Sequence, residues 1–113
     1  MKPGDVVLVR FPQTDLQVGK LRPALALAIA PGRHADVLLV MITSRSYQAI
    51  PNFDEVIETS DKDFPETGLK SRSVLRLSRL VSVETSIVNA RLGEISAERL
   101  RVVKQRVIDW LRK

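Results

Sequence analysis

Two places in the sequence put an arginine or a hydroxyl at the end of a short apolar run, and a third puts both inside a longer one. Arg22 precedes Pro23-Ala24-Leu25, Thr43-Ser44 closes Val37-Leu38-Leu39-Val40-Met41-Ile42, and Arg76 with Ser78 sits inside a longer alternating stretch. Arginine suits phosphate, because its planar fork donates paired hydrogen bonds and keeps its charge, and a Thr hydroxyl adds a neutral donor to the same oxygen. Each residue also has a plain structural reading: Arg22 as a solvated loop end, Thr43 as a strand residue favoured by its β propensity. The absences narrow the chemistry. With no cysteine there is no thiolate nucleophile, disulfide or zinc ribbon. A single histidine, His34, excludes an acid and base pair of imidazoles from one chain, and its place in Pro31-Gly32-Arg33-His34 reads as a solvated turn. Gly19, Gly32, Gly68 and Gly93 are isolated, so there is no phosphate-cradling loop, and no metal-ligating spacing occurs.

Charge points the same way. The chain of 113 residues carries 18 Lys+Arg against 13 Asp+Glu, a formal +5. Its distribution is uneven: Asp54 to Glu66 holds six acids and one base, a net −5, so the remainder is +10. Such a remainder suits a polyanionic partner, and a soluble basic surface is the plainer reading. Tyr47, after Thr43, is a candidate for stacking an unpaired base, whereas Trp110 reads as a helix anchor.

The elements that must position these residues follow from periodicity. Strands are expected over Asp5–Phe11, Ala24–Ile29, Asp36–Thr43, the short piece Phe53–Thr59, Ser71–Val83 with a bulge near Arg79-Leu80, and Ile87–Ile95 interrupted at Gly93. In the second strand the leucines and Ile29 should share one face and the alanines the other. Ser96 caps a terminal helix with Leu100, Val103, Val107 and Leu111 inward and Arg99, Arg101, Lys104, Arg106 and Arg112 on the opposite face. Strands without a βαβ rhythm, followed by one amphipathic helix, predict a mainly β fold, a small barrel with a C-terminal helix in one domain over 1–113. No signal sequence or membrane-spanning stretch is read, so a cytoplasmic protein is expected.

Five ordered segments carry a resemblance: Gly4-Asp5-Val6-Val7-Leu8-Val9-Arg10-Phe11, Gly19-Lys20-Leu21-Arg22-Pro23-Ala24-Leu25, Ile42-Thr43-Ser44, Gly68-Leu69-Lys70-Ser71-Arg72-Ser73-Val74 and Leu92-Gly93-Glu94-Ile95-Ser96. Their order and spacing resemble the MazF/PemK-like toxins of bacterial toxin–antitoxin systems. The resemblance implies an SH3-like barrel, a homodimer, and metal-independent, cofactor-free endoribonuclease activity on single-stranded RNA. It also implies an antitoxin whose acidic and apolar segment fills the RNA groove.

Carried over residue by residue, Arg22 matches the family's catalytic arginine in Gly-x-x-Arg-Pro and Thr43 its catalytic threonine. Gln17, Gly19, Lys20, Ser44, Tyr47, Arg76 and Ser78 are the implied RNA-binding residues. The chain departs from the pattern twice: Leu16-Gln17-Val18-Gly19 stands where Glu-Gln-x-Gly is frequent, and Arg76-Leu77-Ser78 where some members have Arg-x-Asp. The second departure motivates an alternative, a toxin-fold protein of the gyrase-directed CcdB kind or one impaired in catalysis, binding nucleic acid, DNA included, or antitoxin without cutting RNA. A generic SH3-like peptide-binding module is a third option, disfavoured by a chain with only five aromatic residues.

Overall fold

The computed structural model describes residues 1–10 and 20–113. Its strands are β1 (Asp5–Arg10), β2 (Leu21–Ile29), β3 (Asp36–Thr43), β4 (Glu55–Ile57), β5 (Ser73–Glu84) and β6 (Val88–Glu94). Two helices accompany them, the single turn α1 (Phe64–Thr67) and the terminal α2 (Ala97–Leu111). All pairings are antiparallel, in the order β4-β5-β3-β2-β1-β6. No helix among the described residues is long and apolar enough to cross a membrane.

The sheet is curled rather than closed. Glu84 and Val88 are joined through one 3₁₀ turn, Thr85–Ile87, although four sheet spacings separate β5 from β6. Four residue steps reach roughly 14 Å, less than the roughly 19 Å those spacings would span in a flat sheet. The curl brings the two strands together at that end. At the other end the expected closure fails, because β4 and β6 do not pair and the turn of α1 packs against β6 between them. The approach is backbone to backbone: a Cβ on Gly93 would meet the Glu66 carbonyl and lie 2.6 Å from the Thr67 carbonyl carbon. Gly68, at φ +72°, ends α1 in the left-handed conformation that glycine adopts without steric cost.

Apolar alternation fills both faces. On one face Val6, Leu25, Leu27, Val40, Ile42, Leu75 and Leu77 pack beneath Val103 and Val107 of α2; on the other Val7, Val9, Ala24, Ala26, Val37 and Leu39 form a second cluster. Ile29 joins the alanine side rather than the leucine side. The cause is a bulge at Leu27, where the β2–β3 register skips from Ala26–Leu39 to Ala28–Leu38 and reverses the alternation beyond it. A larger bulge falls where the β5 pattern slips: Met41 pairs with Arg76 but Val40 with Leu80, so Leu77, Ser78 and Arg79 intervene. Ser96 caps α2 by accepting from Arg99 N at 3.1 Å. Leu111 is not in the core but 70% exposed, and Trp110 lies edge-on to Phe53 with ring centres 5.5 Å apart.

Candidate anion-binding site

Arg22 lies inside β2 rather than before it, because β1 continues to Arg10 and extends the ladder through Val9–Arg22 and Arg10–Leu21. The ladder on the other side of β2 stops at Ala24–Met41. Pro23 has no N–H with which to extend it. β3 runs on to Thr43 with β5 as its partner, so β2 and β3 part just where Arg22 and Thr43 stand. Alternation from the Ala24–Met41 pair places both residues on the same face, at neighbouring strand ends.

A cavity of about 500 Å³ opens at this divergence. Lys20, Arg22, Arg45 and Lys70 line it, as do the hydroxyls of Thr43, Ser44, Ser71 and Ser73, and no carboxylate among the described residues does. None of these four cations forms an ion pair among the described residues. The Thr43 hydroxyl accepts from Arg45 N at 3.1 Å, which fixes the start of the loop and leaves its own hydrogen to donate elsewhere. Ser73 Oγ donates to Ser71 O at 2.9 Å and holds the Gly68–Ser71 wall. The concavity therefore offers four fixed positive charges and neutral donors to an anion.

Of the residues singled out from sequence, Lys20, Arg22, Thr43 and Ser44 meet here. Gln17 and Gly19 lie outside the described residues. Tyr47 is 79% exposed in the 3₁₀ turn Ser46–Gln48 and does not line the cavity. Ser78 is exposed in the β5 bulge. Arg76 is directed elsewhere: its Nη1 donates to Gln48 Oε1 at 3.0 Å and its Nε lies 3.4 Å from the buried Asp54 Oδ2. Arg45, Lys70 and Ser71 were not singled out. Lys70 and Ser71 fall within one of the family-like segments, but only the Gly68 turn brings them to Arg22.

The larger concavity, about 680 Å³, is lined by Glu55, Asp61, Asp63, Glu66, Glu94 and Glu98 with only Lys62 and Arg99 opposing them, so it repels phosphate. Two arginines of the supposedly solvent-facing side of α2 belong to this region. Arg99 donates to both oxygens of Asp63, to Asp61 Oδ2 and to Glu55 Oε2, all within 2.9 Å. Arg106 Nη1 donates to Asp54 O at 2.8 Å and to Glu55 Oε1 at 3.1 Å. Hydrogen bonds from Arg99 lower the Asp63 pKa to about 2 against the opposing effect of burial, and Asp63 raises that of Arg99 in turn. Asp61 is held low by the Glu58 N–H and by Arg99. At the opposite edge, burial pushes Asp5 upward, but hydrogen bonds from Lys2 N and Arg91 leave it low. The acidic segment is thus largely a partner for α2.

A family model described as PemK-like, MazF-like toxin of type II toxin–antitoxin system matches residues 2–111. Among solved structures, the Mycobacterium tuberculosis toxin MazF-mt6 is similar at TM-score 0.68 and 14% identity, over 98% of this chain and 97% of that one. An endoribonuclease in complex with its cognate antitoxin from Mycobacterial species is similar at TM-score 0.61 and 18% identity, over 98% of this chain and 94% of that one. No curated protein sequence matches the chain.

Proposed function

Because the chain belongs to the PemK-like, MazF-like toxin family of type II toxin–antitoxin systems, we propose that its basic cavity is the catalytic centre of a metal-independent endoribonuclease acting on single-stranded RNA. The observation that carries the reading is the meeting of Arg22 and Thr43 in a cavity to which the described residues bring four cations without an ion pair and no carboxylate. The substrate's own 2′-oxygen attacks the adjacent phosphorus and loses its proton, while the bond to the 5′-oxygen breaks and that oxygen gains one. The products are a 2′,3′-cyclic phosphate and a 5′-hydroxyl. This route needs neither a protein nucleophile nor a cofactor, in keeping with a sequence that has no cysteine and one histidine. A guanidinium is a poor proton acceptor, so the role of Arg22 is to stabilise charge on the phosphorane-like transition state. Thr43 donates its free hydroxyl hydrogen to the same oxygens.

The cognate antitoxin, on this reading, lays an acidic and apolar segment into the same cavity, whose apolar floor includes Leu8, Ile42 and Leu92. The similarity to an endoribonuclease solved with its antitoxin supports such a partner. A homodimer, acting in the cytoplasm, completes the proposal. The test is digestion of a mixed-sequence single-stranded RNA in EDTA. Wild type should leave cyclic phosphate ends, and Arg22→Ala should be slower by about 10²–10³-fold at an unchanged melting temperature. Intact RNA with the wild-type protein would favour a binding-only toxin, and damaged DNA in arrested cells would point to a gyrase-directed one.

A further inference from the structure

Asp54 has no place in the cavity, yet its side chain is completely buried and sits at a junction of three segments. Its Oδ2 accepts from Ile50 N at 2.9 Å, at the far end of the loop that begins with Ser44 and Arg45. Its Oδ1 accepts from Leu77 N at 2.9 Å, in the β5 bulge where the ladder to β3 is interrupted. Arg76 extends the junction: its Nε, buried without a hydrogen-bond acceptor, faces Asp54, and its Nη1 reaches Gln48 in the middle of the same loop. Arg106 of α2 holds the Asp54 backbone oxygen at 2.8 Å. The loop thus begins at the cavity wall with Arg45, exposes Tyr47, and is tied to β5 through one carboxylate and one amide.

We propose that Asp54 is a positioning residue for RNA recognition: through Ile50, Leu77 and the Arg76–Gln48 bond it fixes the Ser44–Ile50 loop, and so sets where Arg45 meets a phosphate and Tyr47 an unpaired base. The inference rests on the endoribonuclease reading. A carboxylate suits the role because it accepts from several N–H groups at once, whereas an amide presents hydrogens to one of them. Arg76 is accordingly part of the scaffold beneath the loop.

The experiment compares wild type, Asp54→Asn and Gln48→Ala on one RNA containing many cleavable sites, reading the rate at each site within the same digestion. Asp54→Asn should compress the ratio between the fastest and slowest sites by about tenfold and raise KM, as expected when recognition groups shift by a fraction of an ångström. Gln48→Ala, which leaves the buried carboxylate in place, should compress it in the same direction by less. A merely structural role lowers the folded fraction and slows every site equally, so an unchanged ratio in a folded Asp54→Asn protein overturns the proposal. If that variant does not fold, the Gln48→Ala ratio decides on the same terms. Wild type that cuts nothing overturns the endoribonuclease reading itself, whereas wild type that cuts with variant ratios unchanged overturns only the role of Asp54.

Discussion

At the scale of single residues, Thr43 makes the sharpest demand on its side chain. Its oxygen is occupied by the Arg45 N–H, so the hydroxyl can act on an anion only as a donor. Thr43→Ser keeps both the acceptor and the donor and should cleave RNA within a few-fold of wild type. Thr43→Val keeps the shape, loses the donor, and frees the Arg45 amide; its rate should fall by about 10²-fold, while loss of the turn bond costs about 1 kcal/mol of stability. Single-turnover cleavage beside thermal unfolding separates the two effects, and a valine variant with full activity would remove Thr43 from the chemistry. The places of Arg22 and Thr43 near strand ends were legible in the periodicity, but their proposed roles came from the family-like segments, since the residues alone read as well as a loop end and a β-favouring strand residue. The destination of Arg76 was not legible, because it depends on Asp54, brought to it by the β4–β5 pairing across a loop that periodicity does not describe.

At the scale of elements, α2 is anchored by Arg99 as much as by its apolar stripe. Arg99 is 11% exposed and surrounded by Glu55, Asp61 and Asp63, so replacing it by methionine leaves Asp61 and Asp63 without their cation and Glu55 with Arg106 alone. A loss of about 3–5 kcal/mol is expected, as for a buried pair deprived of one partner. The same pairing gives stability a direction with pH. Arg99 pulls Asp63 down to about 2 from the ordinary aspartate value of 3.8, so its contribution is complete above 3.8 and disappears as pH falls toward 2. Wild-type melting temperature should drop across that interval, and the slope should be smaller in Arg99→Met, where Asp63 has lost its main stabiliser; an equal slope would show that other groups set the acid limit. Here the periodic pattern was informative and incomplete. It placed the strands and the helix, since burial demands alternation or a 3.6-residue repeat, but it assigned Arg99 to solvent because it treats every charge as surface. The bulge at Leu27 misled it over Ile29 for a related reason: one extra residue reverses all later faces, and nothing in Ala26-Leu27-Ala28 announces it.

At the scale of the whole molecule, the charge imbalance divides into paired and available parts. Seven cations, Lys2, Arg72, Arg76, Arg91, Arg99, Arg106 and Arg112, contact carboxylates among the described residues. The excess of +10 outside residues 54–66 therefore overstates what a polyanion meets, because Arg76, Arg99 and Arg106 are taken by Asp54, Glu55, Asp61 and Asp63. Lys20, Arg22, Arg45 and Lys70 are among the cations outside these pairs, and all four line one cavity. This distinction is measurable through salt. For a single strand, log K falls with log salt at about −0.7 per neutralised phosphate, so binding confined to the four cavity cations should show a slope of about −3. Engagement of the full excess of ten would give about −7. Titration of a short single-stranded RNA against the Arg22→Ala protein, which binds without appreciable cleavage during the measurement, should return a slope near −2, since one of the four charges is gone. Adding Lys70→Ala should bring it down by a further 0.7 or so. A slope near −7 that Lys70→Ala leaves untouched would place the RNA on a diffuse basic surface instead of in the cavity between β2 and β3.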